Sequence, residues 1–458
     1  MGRRGRARRR RRDRPRARGV VASVDRTASR TPSPGPASLP SGCPAAGRTR
    51  SVDSTPVSVQ RFLGAVVVAA VLAGSGCAAG GVSSGATDAS SPAPSPRTPS
   101  PAPAPVDPVA AWVETRLASM TLEQKAAALL MVHAPGTDPA PLRTLVEQGV
   151  SGLILMGDNI PASPEQLAAL TGAVQVDPEA RTLIGIDEEG GIVQRLPWDD
   201  AAAAPDLRAL APADAEAAFA RRGDLLAQSG IDVNFGIVAD VTGDANSFIS
   251  DRVLGTDPAS AADRVAAAVA GEAGRAGSTL KHFPGHGAAP GDSHASVPVA
   301  PLTIDEWRAG PALPFSAGIE AGADLVMTGH LAYPAVDAAP ASLSAEWHRI
   351  LREELGFDGV VVSDDMLMLQ HNGLAEYADP GENAVRAVAA GTDLLLYVLP
   401  ADPSTFGISV AGLSASIAEA VRSGRIPEAR LDEAATRVLS MRREAVLPRV
   451  ATRRPGRE

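Results

Sequence analysis

The amino-acid sequence predicts an α/β fold, a single (β/α)₈ barrel preceded by a long N-terminal region outside it. Three observations support this prediction. Eight short apolar runs recur between residues 127 and 398, and several are continuous rather than alternating, as expected for parallel strands buried on both faces. Ala-rich stretches of helical length separate the runs. Polar residues stand at the carboxyl ends of the runs, which share one face of such a barrel.

The predicted strands are residues 127–132, 152–156, 182–187, 233–238, 278–283, 325–330, 359–364 and 393–398. Predicted helices such as 257–274 and 382–390 lie between them. A doubly wound open sheet would give a similar alternation. The barrel is favoured because the polar residues at strand ends come from distant parts of the chain and would converge in a barrel. These residues are Asp187, Lys281, His282, His330 and Asp364.

The first part of the 458-residue chain differs from the rest in charge. Residues 1–61 hold sixteen Arg and three Asp, a balance of +13, whereas the whole chain carries −9. Dense like charge with few apolar residues is typical of disorder. Nucleic-acid binding is disfavoured because the stretch lacks interleaved aromatic residues and any folded motif. We expect residues 1–57 to be a disordered Arg-rich extension, which a start codon assigned too far upstream would explain.

Residues 58–77 have the layout of a bacterial lipoprotein signal peptide. A basic residue precedes a twelve-residue apolar run, too short to span a bilayer as a helix, and small residues then lead to Cys77. Cys77 is therefore the predicted lipidation site. Residues 78–106, rich in Ala, Ser and Pro, are expected to form an extended linker. Residues 107–448 are expected to form the barrel and residues 449–458 a basic tail.

The chain has two cysteines, Cys43 and Cys77. Once the signal peptide is removed and Cys77 is lipidated, no cysteine remains for a disulfide, a Cys-ligated metal or a Cys nucleophile. The sequence therefore predicts a protein held at the outer face of the cell membrane by its lipid alone.

The densest chemical signal is Lys-His-Phe-Pro-Gly-His-Gly at residues 281–287, followed by Asp-Ser-His at residues 292–294. Three of the seven histidines and one of the two lysines of the chain fall in these segments. A lysine retained in a chain so rich in arginine indicates a need for a compact ammonium group. A structural strand-end cluster and a zinc site are the alternatives. Zinc is disfavoured because proline and glycine separate the histidines, so no helical face presents two of them together.

Two further strand ends carry acidic residues. Asp364 and Asp365 end a buried apolar run, where an unpartnered carboxylate is costly. One of the two should face the barrel mouth, where it could attack an anomeric carbon, and Asp365 suits a cap of the next helix. Asp187 is followed by two glutamates, two glycines and then Arg195. This group could bind sugar hydroxyls or form a solvated turn paired with Arg195, and the two interpretations are equally supported.

Together these motifs resemble glycoside hydrolase family 3, and in particular its single-domain bacterial β-N-acetylglucosaminidases. The two segments at 281–287 and 292–294 are the most specific part of the resemblance. Similar stretches extend across the barrel, at residues 120–125, 152–160, 186–196, 234–240, 252–258, 313–315, 340–344, 356–368 and 424–439. The resemblance implies release of terminal β-linked N-acetylglucosamine from peptidoglycan-derived fragments, with retention of configuration and without a cofactor or metal.

The resemblance also implies a role for each site residue. Asp364 matches the nucleophile that forms a covalent glycosyl-enzyme, His294 the general acid/base, and Asp292 its partner. Histidine suits both proton transfers because it titrates near neutral pH, and its Gly/Pro-containing loop is expected to move over the bound sugar. Asp240 matches a supporting position. The positions that hold the sugar are Asp187, Arg195, Arg252, Lys281 and His282.

Other functions remain open from the sequence: a phosphorylase or a β-glucosidase of the same family, and a non-catalytic sugar-binding lipoprotein. Many family 3 β-glucosidases take the acid/base from a second domain, whereas here the Asp-Ser-His segment would supply it, which favours the acetylated sugar. Glu188 departs from the family pattern, which often has Gln there. The expected partners are carbohydrates such as muropeptides that contain N-acetylglucosamine, with no nucleic acid, and the protein is expected to be a monomer.

Overall fold

The computed structural model describes residues 107–447. Its strands are β1 Leu130–Val132, β2 Gly152–Leu155, β3 Leu183–Ile186, β4 Val233–Val238, β5 Gly277–Phe283, β6 Leu325–Thr328, β7 Val360–Ser363 and β8 Leu395–Tyr397. The strands pair in parallel in the order β7-β6-β5-β4-β3-β2-β1-β8. A parallel bridge between Val362 and Leu394 brings the two edges together. The predicted (β/α)₈ barrel is thus confirmed in a nearly closed form.

Helices connect the strands and surround the sheet. They are α1 Pro108–Ala118, α2 Leu122–Ala127, α3 Pro139–Glu147, α4 Pro164–Ala173, α5 Ala204–Leu207, α6 Pro212–Gln228, α7 Pro258–Glu272, α8 Ile304–Ala309, α9 Ala312–Glu320, α10 Ala345–Arg349, α11 Leu367–His371, α12 Pro380–Ala390, α13 Val410–Arg422 and α14 Glu428–Glu444. Short 3₁₀ turns cover Gly157–Asn159, His286–Ala288, Ala341–Leu343, Ala375–Tyr377 and Pro403–Phe406, and a π-helical turn covers Ile350–Glu354.

Capping residues set where the predicted helices begin. Asp257 accepts a hydrogen bond from the N–H of Ser260, so α7 begins at Pro258. Asp379 accepts from the N–H groups of Gly381 and Glu382, so α12 begins at proline. An acidic N-cap followed by proline is a common helix start, because proline has no N–H to satisfy. The two predicted helices therefore exist with slightly shifted ends.

The predicted start of the first strand, at residue 127, is wrong. Residues up to Ala127 belong to α2, which begins with a capping box in which Thr121 and Gln124 bond to each other's backbone. The buried alanines at the end of α2 run directly into the apolar residues of β1. Because both elements are buried, hydrophobicity alone does not mark the boundary between them.

Apolar side chains from every strand except β5 form a cluster inside the barrel. Met131 and Phe235 occupy the centre, where Gly152 and Gly185 leave the space that these larger residues take. Val438 of α14 packs against the same cluster. Two arginines of α14 pair with Asp393 just before β8, so this helix lies at the amino-terminal ends of the strands. The cluster comprises Met131, Ile154, Leu183, Val233, Phe235, Leu325, Met327, Val360, Val362, Leu394, Leu396 and Val438. The packed interior leaves the opposite face, at the carboxyl ends, for polar groups.

The predicted N-terminal extension, signal peptide with Cys77, linker and basic tail lie outside the described residues.

Candidate active site

Polar side chains gather at the carboxyl ends of five consecutive strands of the sheet. Asp187 directly follows β3, Asp240 lies two residues after β4, and Lys281 lies within the last part of β5. His330 lies two residues after β6, and Asp364 directly follows β7. The parallel sheet thus brings together residues that are up to 177 positions apart, which is the convergence that the sequence predicted.

Lys281 is the centre of a buried charge cluster. Its Nζ lies 2.8 Å from Oδ1 of Asp187 and 2.7 Å from Oε1 of Glu189. Burial lowers the pKa of Lys281, but the two carboxylates outweigh this effect and raise it, so the ammonium stays charged. Arg195 lies 3.6 Å from Oδ2 of Asp187. This arrangement presents charged donors and acceptors side by side, as recognition of adjacent sugar hydroxyls requires.

Glu189 is a member of this cluster that the sequence analysis did not single out. Arg252 binds it through two parallel hydrogen bonds, of 2.9 Å from Nε and 2.8 Å from Nη2. Burial raises the pKa of Glu189, but the charges of Lys281 and Arg252 outweigh burial and lower the pKa to about 2. The spacing of two residues between Asp187 and Glu189 could have identified Glu189 as a site residue, because side chains two apart in an extended segment point the same way.

Asp240 fixes the orientation of His282. Its carboxylate accepts from Nδ1 of His282 at 2.7 Å, from the N–H of His282 at 3.1 Å, and from the N–H of His286. Burial raises the pKa of Asp240, but His282 and the other donors outweigh burial and lower it. With Nδ1 held in this way, Nε2 of His282 faces Arg252 at 3.4 Å. The supporting position that the sequence predicted for Asp240 agrees with these contacts.

Asp364 stands at the end of β7 as an ionised carboxylate. Burial raises its pKa, but the charges of His282, His330 and Lys281 outweigh burial and hold the pKa below its usual value. Oδ1 accepts a hydrogen bond of 2.8 Å from the N–H of Asp365, which leaves Oδ2 as the oxygen available to a ligand. An ionised, oriented carboxylate can act as a nucleophile.

Asp365 points the other way and ties β7 to its neighbours. Its Oδ1 accepts from the N–H of Leu367, the first residue of α11, at 3.1 Å and from the N–H of Val398 at 3.0 Å. Burial raises the pKa of Asp365 to about 7. His330 supports the same turn, because its Nε2 lies 2.9 Å from the carbonyl oxygen of Asp365. The predicted division of the aspartate pair between mouth and helix start is therefore present.

Asp292 and His294 form a dyad on the loop that follows β5. Nδ1 of His294 lies 2.6 Å from Oδ1 of Asp292, which also accepts the N–H of His294 at 2.9 Å. The His294 side chain is 66% exposed. The dyad lies on the loop that leaves the carboxyl end of β5, and therefore on the same face of the barrel as Asp364. With Nδ1 bound to a carboxylate, Nε2 is the nitrogen that can exchange a proton with a ligand.

The three histidines of the motif occupy separate environments. His282 binds Asp240, His286 is buried, and His294 lies on the exposed loop. Within residues 107–447, no group of three or more His, Cys, Asp or Glu side chains is placed to hold a metal ion. The structure thus gathers six of the eight predicted site residues at the carboxyl ends of the strands and adds Glu189 to them; the six are Asp187, Arg195, Arg252, Lys281, His282 and Asp364. The other two, Asp292 and His294, form a pair that is exposed on the loop after β5.

Residues 121–441 match the family model described as the glycosyl hydrolase family 3 N terminal domain. A β-hexosaminidase of Stenotrophomonas maltophilia (strain K279a) is 37% identical over 289 residues, which cover 59% of this chain and 84% of the relative. A β-hexosaminidase of Xanthomonas campestris pv. campestris (strain B100) is 37% identical over 288 residues, covering 59% and 85%.

Solved structures agree with these sequence relatives. A family 3 β-N-acetylglucosaminidase from Paenibacillus sp. str. FPU-7 has a TM-score of 0.65 and 33% identity, covering 74% of this chain and 65% of that one. A β-N-acetylhexosaminidase from Beutenbergia cavernae DSM 12333 has a TM-score of 0.61 and 32% identity, covering 70% and 98%. The resemblance drawn from the motifs is confirmed, and the chain belongs to glycoside hydrolase family 3 and is a glycoside hydrolase.

Proposed function

We propose that the protein is a retaining exo-β-N-acetylglucosaminidase. The observation that carries this proposal is the Asp364 carboxylate at the carboxyl end of β7, combined with a histidine–aspartate dyad on the loop that follows β5 at the same face of the barrel. Retaining hydrolysis needs a nucleophile and a second group that first gives and then takes a proton. Asp364 and His294 supply these two functions, and the relatives named above supply the acetylated sugar as the substrate class.

In the first step Oδ2 of Asp364 attacks the anomeric carbon, and the bond from that carbon to the glycosidic oxygen breaks. The Nε2–H of protonated His294 donates its proton to the departing oxygen. The Asp292 carboxylate, 2.6 Å from Nδ1, stabilises the imidazolium before transfer and keeps the ring oriented. The product of this step is an ester between Asp364 and the sugar.

In the second step a water molecule takes the place of the departed group. Neutral His294 accepts a proton from this water at Nε2, and the water oxygen attacks the anomeric carbon. The ester bond breaks and the electron pair returns to Asp364. Two inversions at the same carbon give net retention of the β configuration.

The charge cluster beside Asp364 is proposed to hold the terminal sugar. Lys281 and Arg195 each lie within salt-bridge distance of Asp187, and the three side chains can bind adjacent hydroxyls. Arg252 and His282 complete the set, and each is oriented by its own buried carboxylate, Glu189 or Asp240. Because these partners are already in place, little ordering is needed when sugar binds.

The proposal is tested with purified protein on nitrophenyl β-N-acetylglucosaminide and nitrophenyl β-glucoside, with and without phosphate. We expect preferential release from the acetylated sugar, independent of phosphate and abolished in Asp364→Asn. His294→Ala should retain more activity on substrates whose leaving group needs no proton. Activity on the glucoside alone would indicate a β-glucosidase, phosphate-dependent turnover a phosphorylase, and binding without turnover a sugar-binding protein.

The cellular setting is also a proposal. We propose that Cys77 is lipidated, that the protein is held at the outer face of the cell membrane, and that it acts there as a monomer on peptidoglycan-derived fragments. The signal-like segment 58–77 and the Pro-rich stretch before residue 107 support this. Cys77→Ser should move the protein from the membrane fraction to the soluble fraction. Membrane retention in that variant would contradict the lipid anchor.

A further inference from the structure

His286, the second histidine of the Lys-His-Phe-Pro-Gly-His-Gly segment, has no part in the mechanism described above. Its side chain is 1% exposed, and neither ring nitrogen has a hydrogen-bond partner within residues 107–447. The ring packs edge-on against Phe248, with centroids 4.7 Å apart. A buried donor without an acceptor is costly, so such groups in native proteins call for an explanation.

His286 lies in the turn between the end of β5 and the loop that carries the dyad. Its backbone N–H is held by Asp240, and its ring lies 5.9 Å from that of His282. Burial lowers the pKa of His286, with Asp240 and Asp364 opposing in part, so the ring is neutral and carries one N–H donor.

Asp292 is an ionised acceptor. Burial raises its pKa, but the hydrogen bonds from the backbone N–H and the ring of His294 outweigh burial and lower it.

Asp292 has an unused acceptor. Its Oδ1 takes both hydrogen bonds from His294, while Oδ2 has no hydrogen bond within the described part of the chain. The carboxylate and its histidine are both well exposed in this form of the loop. Oδ2 of Asp292 thus has no donor among the described residues. Six residues earlier in the chain, the buried ring N–H of His286 has no acceptor among them.

The beginning of this loop is fixed while the dyad beyond it is exposed. The turn His286–Ala288 packs so closely on Val241 that a side chain at Gly287 would collide with the Val241 backbone. Only the segment after this turn can therefore move without disturbing the barrel. Closure of that segment over a bound sugar would bring Asp292 down toward His286.

We propose that His286 is a positioning residue for the acid/base dyad, whose ring N–H donates to Oδ2 of Asp292 when the loop closes over the sugar. This inference rests on the proposed function, in which His294 is the acid/base. The bond would fix the distance between His294 and Asp364, so that Nε2 of His294 lies within hydrogen-bond distance of the glycosidic oxygen. It would also satisfy the buried donor that is unpaired in the open loop.

The test uses His286→Phe, which keeps the edge contact with Phe248 and removes both ring nitrogens. Aryl β-N-acetylglucosaminides with poor and good leaving groups are compared, because only the poor ones depend on proton donation. We expect kcat/KM to fall about 10- to 100-fold for a poor leaving group, as for loss of one hydrogen bond to a charged group. The fall for a 2,4-dinitrophenyl leaving group should be much smaller.

Two companion experiments separate positioning from a general structural role. In an Asp292→Ala background, His286→Phe should cost no further activity, since the two residues would act through one bond. His286→Asn and His286→Gln each place an amide N–H near one ring nitrogen, and one of them should recover part of the loss. If His286→Phe does not fold, His286→Ala carries the same expectations.

Two results would overturn the positioning role of His286. A loss that is the same for both leaving groups, or that adds fully to that of Asp292→Ala, at unchanged melting temperature, would refute it. Wild-type protein is assayed first. If it does not hydrolyse these substrates, the proposed function fails and the positioning role fails with it. If it is active but the His286 pattern is absent, only the positioning role fails.

Discussion

Adjacent acidic residues in this site have different surroundings because successive side chains of an extended backbone point in opposite directions. Asp187 and Glu189 both face Lys281. Glu188, between them, turns away and accepts the backbone N–H groups of Arg195 and Leu196 at 2.8 and 2.9 Å. Glu188 thereby closes the loop that carries Arg195, while its two neighbours face the cations of the site.

This difference gives a matched pair of variants at the residue scale. Glu189→Gln removes the charge that Lys281 and Arg252 share, and removing one partner of a buried ion pair is strongly unfavourable. We expect kcat/KM to fall by about tenfold or more. Glu188→Gln keeps an oxygen for the two N–H groups, so its kcat/KM should stay within about threefold of wild type. Equal losses in steady-state assays of the two variants would contradict this account.

Glu272 provides a pH-dependent prediction. It is fully buried, Asn234 donates to its Oε1, and burial raises its pKa to about 8. Because the folded pKa lies above the unfolded value, folding favours the protonated form, and stability is lost as pH rises from the unfolded value toward 8. Glu272→Gln should match wild type near pH 4 and become progressively more stable above it, by up to about 1.4 kcal/mol per pH unit.

The check is chemical denaturation of both proteins across this range. A stability difference that does not change with pH would show that Glu272 does not titrate as described.

At the scale of elements, α6 and α7 pack closely because α7 carries a glycine at the contact. A Cβ on Gly271 would collide with the carbonyl oxygen of Glu216 and lie 2.9 Å from the backbone N of Ala220. Both obstacles are backbone atoms of α6, which cannot move aside as a flexible side chain could. The glycine thus sets the distance between the two helices.

Gly271→Ala should therefore destabilise the protein by about 1–3 kcal/mol, the usual cost of overpacking. Gly172 of α4 is the matched control, because it is exposed and a Cβ there would meet nothing within 4 Å. Gly172→Ala should stabilise the protein by about 0.5–1 kcal/mol through helix propensity alone. Thermal or denaturant unfolding of the two variants measures both effects, and the same sign for both would contradict the packing argument.

For the whole molecule, the architecture could be predicted from sequence because strands buried on both faces read as continuous apolar runs. The strand β4 coincides with its prediction, and the polar residues at strand ends mark the catalytic face. The resemblance of the motifs then selected the site residues, six of which the fold gathers at this face, while Asp292 and His294 stand on the loop after β5.

Features that depend on side-chain direction and on contacts between distant segments could not be predicted from the sequence. The pairing of Glu189 with both Lys281 and Arg252, and the three donors that converge on Asp240, exist only once the barrel has closed. The boundary between α2 and β1 was missed because both are buried and apolar. Local pattern determines elements, but partners across the sheet are a property of the whole fold.

The central claim is that Asp364 attacks the sugar and forms a covalent intermediate. The most direct measurement is mass spectrometry of the protein after incubation with a fluorinated N-acetylglucosaminyl fluoride, whose glycosyl-enzyme breaks down slowly. We predict a stoichiometric mass increase of one fluorosugar, mapped by peptide sequencing to Asp364 and absent in Asp364→Asn. Turnover of the reagent without any adduct, or an adduct on another residue, would contradict this mechanism.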